Sequence, residues 1–119
     1  MQYLLLIYSN EAANAAMPEA ARKEMFGGYY AFNEHAKKNG NFVAGDALTP
    51  TATAKTVRVR NGETSTTDGP FAETKEQLGG YYLVEAKDEA EAIALAARIP
   101  TAKTGCVEVR PIMNYELGA

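Results

Sequence analysis

Gly80-Tyr81-Tyr82-Leu83-Val84-Glu85-Ala86, followed after Lys87 by Asp88-Glu89-Ala90-Glu91, is a strand that hands directly to a capped helix. Its aromatic and branched side chains suit a pleated, half-buried surface. Asp88 offers the N-cap oxygen, and Glu91, three residues on, completes a capping box. Ile93, Ala96 and Ala97 are then the inward positions of the helix, which stops before Pro100. Cys106-Val107-Glu108-Val109-Arg110-Pro111-Ile112 supplies a last strand, so the C-terminal half reads β-α-β.

The N-terminal half repeats that plan. Gln2 to Tyr8 is a continuous apolar run, as expected of a central strand buried on both faces. Ser9 to Met17 is a polar, alanine-rich connection, and Pro18 brings the preset φ of a first helical position. Ala21, Met25, Tyr29, Phe32 and Ala36 recur at helical spacing, with most of the charge elsewhere around the helix. Gly27-Gly28 interrupts it at a propensity cost of up to about 2 kcal/mol, which helix–sheet packing explains better than a ligand does. Asn39-Gly40 ends the helix, and Asn41 to Leu48 is a second strand with Asp46 near its end.

A hairpin lies between the halves. Thr56-Val57-Arg58-Val59-Arg60 and Glu63-Thr64-Ser65-Thr66-Thr67 flank Asn61-Gly62, a turn of the I′ kind, and their polar faces let the hairpin project from the main sheet. The order β-α-β-(hairpin)-β-α-β is the split βαβ plan of an α+β domain, an antiparallel sheet with two helices on one face. The other face needs cover. A second copy packed sheet to sheet supplies it most economically, giving a two-fold homodimer with ligand clefts between layers.

At 119 residues the chain is one domain, residues 1–119, with an ordered core expected over about 2–113 and room for a core without metal or disulfide support. A hydrophobic content of 46% and a charged content of 23% match an ordinary globular protein. The net charge of −3 gives no footprint for nucleic acid. The apolar start is too short to span a bilayer and lacks a basic region before it, so no membrane partner and a cytoplasmic location are expected. Cys106 has no second cysteine to pair with, which fits a reducing compartment.

Thr67-Asp68-Gly69-Pro70-Phe71-Ala72-Glu73-Thr74-Lys75-Glu76-Gln77-Leu78-Gly79-Gly80 joins the hairpin to the strand first quoted, with a rigid turn, a charged cluster and a glycine pair. Asp68-Gly-Pro-Phe71, the following Ala-Glu-Thr-Lys-Glu-Gln-Leu-Gly-Gly and the closing Val107-Glu-Val-Arg-Pro111 resemble the DGPF-type branch of the YCII-related family. The match runs from Tyr3-Leu-Leu-Leu-Ile-Tyr8 to Ile112. The resemblance implies a ferredoxin-like domain that dimerises as an α+β barrel. Some such proteins use a His–Asp pair for proton transfer on small molecules, with the histidine early in the first helix. This chain has Gly27-Gly28-Tyr29-Tyr30 there and its single histidine, His35, near the helix end, so that pair is not carried over. DGPF-type genes also stand beside genes for extracytoplasmic-function sigma factors, which implies a regulatory partner of that kind.

Asp68 reads first as a turn residue satisfying its own backbone, and second as a general base. Asp46 is the best second carboxylate: two carboxylates converging in one cleft separate their pKa values and free one to act as a base. Phe71 is a packing plug or ligand contact; Glu73, Lys75 and Glu76 form a pocket rim or a solvated group, with Glu73 and Gln77 at helix-turn spacing; Tyr81 lines the wall. Arg58, Arg60 and Arg110 alternate on strands and read first as solvent-facing residues, with binding of an anionic ligand the second reading for Arg110. One histidine and one cysteine far apart give no metal-ligand spacing, and no phosphate loop follows the first strand, so no metal and no cofactor are expected. Three readings remain open: acid–base enzyme on a small organic molecule, noncatalytic ligand-sensing or regulatory module, and structural loop.

Overall fold

The computed structural model describes residues 1–114. The chain runs β1 (Gln2–Ser9), α1 (Glu11–Ala15), α2 (Glu19–Lys38), β2 (Phe42–Ala47), β3 (Lys55–Arg60), β4 (Glu63–Asp68), β5 (Gln77–Glu85), α3 (Glu89–Ala97) and β6 (Cys106–Pro111). The main sheet has the order β2-β5-β1-β6, and every neighbouring pair in it is antiparallel. This is the ferredoxin-like α+β arrangement, with β3 and β4 set apart as a two-stranded sheet inserted between its second and third strands. Asn61 and Gly62 both take positive φ, 53° and 77°, as an I′ turn demands.

The core lies on one side of the main sheet. Tyr3, Leu5 and Ile7 alternate along β1 toward that side, opposite Val84, Tyr82 and Gly80 of β5 in register. Phe32 of α2 is buried against the Tyr82 ring with centroids 4.7 Å apart, and Ala36 one turn on is fully buried. Burying a side chain of that size stabilises by about 1.5–3 kcal/mol. Gly28 settles the helix interruption as packing: a Cβ there would stand 2.7 Å from Cγ of Pro100. Ala21, expected inward, is exposed.

Further expectations are revised. In α3 the buried positions are Ala92, Leu95 and Ala96, continued by Ile99, whereas Ile93 is 51% exposed and Ala97 is also exposed. The helix is rotated from the sequence reading because its small alanines meet the sheet and its larger Ile93 does not. Second, the Ser9–Met17 connection contains the helix α1, which Asn10 caps by accepting from the Ala13 N–H at 2.8 Å. Third, β1 is not buried on both faces within one chain: Leu4 and Leu6 on the side away from the helices are only half-buried. Residues 73–76 form no helical turn, and Gln77 opens β5.

Asp88 caps α3 as expected, accepting from the Glu91 N–H at 2.9 Å. The return arm of the capping box lands one residue early. Glu91 accepts from the N–H of Lys87 rather than from that of Asp88, and also from Nδ2 of Asn41, both at 3.2 Å. The helix start is thereby tied to the loop before β2.

Candidate functional site

α2 is a 20-residue helix, and one of its stripes runs beside the core rather than into it, with Tyr29 packing against the core's edge. Arg22, Met25, Phe26, Tyr29, Asn33 and Lys37 recur at spacings of three and four and form one wall of an open cleft of about 730 Å³. The facing wall comes from the β2 edge and the start of β5, and α1 closes one end. The floor is low where β5 begins because Gly79 and Gly80 carry no side chains. A Cβ on Gly80 would stand 3.0 Å from the carbonyl oxygen of Asp46, so the close passage of β2 leaves little room for a side chain there. Ala47, opposite Gly80 in register, adds only a methyl group.

Buried hydroxyls brace the walls. Tyr29 and Thr101 share a 2.6 Å hydrogen bond, and the Tyr82 hydroxyl donates to Oδ1 of Asn33 at 2.7 Å. Burial pushes the Tyr82 phenol up to about 12 and raises the Tyr29 phenol as well. With Oδ1 engaged by Tyr82, the Asn33 amide has its NH2 group left for the cleft. At the α1 end, the Glu11 carboxylate accepts from the backbone N–H and the hydroxyl of Thr51, each at 2.9 Å. Gln77 accepts from the Glu11 N–H at 2.9 Å, and Asn10 donates to the Lys75 carbonyl at 3.3 Å, which docks the loop before β5 on α1.

Among the sequence candidates, Asp46 and Tyr81 border this cleft. They stand opposite each other across β2 and β5, and the Tyr81 hydroxyl donates to Oδ2 of Asp46 at 2.8 Å. That bond and the charge behind it raise the Tyr81 phenol. Their register parity is that of Leu83 and Leu4, the face away from the helices, so they meet the cleft at its rim. Asp68, Phe71, Glu73, Lys75 and Glu76 are not among its walls. Asp68 pairs with Lys55 across the hairpin, so the two candidate carboxylates engage different partners in the single chain. The turn after it is anchored by the Gly69 N–H on the Ala54 carbonyl and the Thr56 hydroxyl on the Gly69 carbonyl, both at 2.8 Å. Phe71 is 82% exposed, so it plugs nothing within one chain. Glu73 and Lys75 are exposed, and Glu76 lies 3.7 Å from the Cys106 thiol, which burial and then that carboxylate push up. Arg110 binds Glu108 on its own strand, and Glu108 also accepts from Tyr8 at 3.4 Å.

The sequence profile of the YCII-related domain matches residues 1–116. The chain belongs to the YCII-related family. An uncharacterized protein of Rhizobium meliloti (strain 1021) is 36% identical to it over 120 residues, covering 99% of this chain and 97% of the relative. Family membership fits the ferredoxin-like sheet, and within this YCII-related chain it is the cleft-facing stripe of α2 that sequence reasoning missed. Met25 and Tyr29 carried the signal, for they share their stripe with Arg22 and Lys37, and charges have no place on a stripe that meets only core.

Proposed function

We propose that this protein binds a small organic molecule in the cleft between α2 and the β2–β5 edge. The observation that carries the reading is the cleft itself: about 730 Å³, apolar over most of its walls, with Asn33 oriented inside it by Tyr82. Pockets of that size with a few placed polar groups suit small ligands. Binding without turnover is the form the geometry favours, since the Glu11 carboxylate is consumed by Thr51 and no histidine lines the walls. If turnover occurs, Asp46 is the group for it, with one carboxylate oxygen left after Tyr81. A metabolite-library thermal-shift screen tests the proposal. Hits that stabilise the wild type and fail to stabilise Ala47→Phe, whose ring fills the floor, support it; hits that the block leaves intact refute it.

The second part of the proposal is a cytoplasmic homodimer. The face of the main sheet away from the helices carries Leu4, Leu6 and Leu83, half-buried, and the hairpin exposes Val57 at 60% and Val59 at 58%. Phe71, in the segment that follows the hairpin, is more exposed still. A second copy of the chain is the occupant we adopt for these surfaces, with the Asp68–Glu76 loop at the contact. A regulatory contact with a sigma factor is the competing reading, favoured if the apolar hairpin stays open in the dimer. Among the described residues no helix is long and apolar enough to cross a membrane.

A further inference from the structure

The polar groups facing the cleft are unequal in what they leave unused. Both Glu11 oxygens are occupied by Thr51, and one Asp46 oxygen by Tyr81. Gln77 spends its carbonyl on the Glu11 N–H and its amide on the Thr74 carbonyl. The donors are free by contrast. Arg22 makes a single long bond, 3.4 Å to the Asn14 carbonyl, and forms no ion pair among the described residues. Asn33 has its NH2 group to give, and the Lys37 ammonium sits 5.3 Å from the Phe42 ring centroid without a carboxylate partner among the described residues.

Arg22 also stands in the first turns of α2, where unsatisfied N–H groups and the helix dipole favour negative charge, and beside it come Met25 and Phe26. A planar fork of donors next to an apolar wall is the arrangement that holds a carboxylate or sulfonate on a hydrophobic body. Lys37 lies 15 residues further along, about 22 Å at 1.5 Å per residue, so it marks the opposite end rather than a second arm of the same grip.

Building on the cleft reading above, we infer that the ligand is an apolar, ring-sized organic anion whose acidic group is held by Arg22 and whose body lies along Met25, Phe26 and Tyr29, with Asn33 donating to an oxygen further in. Exchanging a neutral group for the anion brings a charge-assisted hydrogen bond to the guanidinium, which is expected to tighten binding about tenfold or more.

Two fluorescent probes that differ by one sulfonate test this: anilinonaphthalene sulfonate and neutral phenylnaphthylamine. Their affinities are measured with the wild type, Arg22→Gln, Lys23→Gln and Ala47→Phe. Lys23 is the matched control, since it loses the same charge one residue away, pairs with Glu19 and does not line the cleft. The expected result is an affinity ratio favouring the sulfonate by about tenfold or more in the wild type and Lys23→Gln, collapsing toward one in Arg22→Gln. Loss of both probes in Ala47→Phe places them in the cleft. A ratio near or below one in the wild type, or one unchanged in Arg22→Gln, overturns the anion inference while leaving the cleft as a site for neutral ligands. Binding of both probes that Ala47→Phe leaves intact overturns the cleft reading, and the anion inference with it.

Discussion

The Tyr81–Asp46 pair shows how one residue of a candidate site reports on its neighbour. A phenol donating to a carboxylate holds its proton more tightly, and the Tyr81 pKa is raised for that reason first and by the same negative charge second. Asp46→Ala removes both causes, so the Tyr81 titration is expected to move down toward the ordinary phenol value, followed by NMR of ring-labelled tyrosine against pH. An unmoved titration would show that the bond does not form in solution. Asp68 is a contrasting residue. Its carboxylate is exposed and paired with an exposed Lys55, a pair of the kind worth at most about 1 kcal/mol. Asp68→Asn is accordingly expected to change the melting temperature little and cleft binding not at all; loss of cleft ligand binding would show that the loop reaches the site in the assembled protein.

At the scale of elements, the aromatic contact between α2 and β5 is what fixes one wall of the cleft to the other. Phe32 is buried on the Tyr82 ring, and Phe32→Ala is expected to cost about 3–5 kcal/mol in urea unfolding, the range for losing a buried aromatic. A loss below about 1 kcal/mol would mean that the two elements do not depend on that contact. The strand over Gln2–Tyr8, the Asn61-Gly62 turn and the Asp88 cap were all legible in the sequence, because each is set by residues within a few positions of one another, whereas the one-sided burial of that strand was not. The rotation of α3 was not, since alanines on several sides of the helix leave its inward stripe to tertiary packing, which turned Ile93 outward. The short helix α1 was also hidden: five residues carry no full hydrophobic period, and its cap and the Gln77 contact become visible only once β5 is in place. Of the residues that border the cleft, Asp46 and Tyr81 were singled out in the sequence from a strand end and an aromatic position. Arg22, Asn33 and Lys37 were not, because a polar side chain on a helix reads as solvated until the facing strands that give it partners are in place.

As a whole the molecule is flat, 49 × 48 × 18 Å, with a radius of gyration of 16.6 Å. A compact chain of this length has about 13.5 Å, and the difference reflects the projecting hairpin. An open sheet face and an extended hairpin predict a dimer in light scattering at micromolar concentration, and a monomer there would sink the homodimer. Stability against pH is a second property of the whole fold. The Tyr82 phenol has its pKa pushed from 10.0 to about 12. Between those values the unfolded chain releases a proton that the folded chain keeps, so stability is unaffected below the lower value and falls as pH rises through the window. One group contributes at most about 1.4 kcal/mol per pH unit, and the raised Tyr29 and Tyr8 phenols add in the same sense. Tyr82→Phe is expected to flatten this alkaline slope in urea unfolding, and an unchanged slope would assign it to other groups. Ligand binding by this protein rests on the cleft between α2 and the β2–β5 edge. Amide NMR of the isotope-labelled protein titrated with anilinonaphthalene sulfonate tests it most directly: the account predicts shifts concentrated at Arg22, Met25, Phe26, Asn33 and Gly79-Gly80, and shifts confined to the hairpin or to the Leu4, Leu6 and Leu83 face would contradict it.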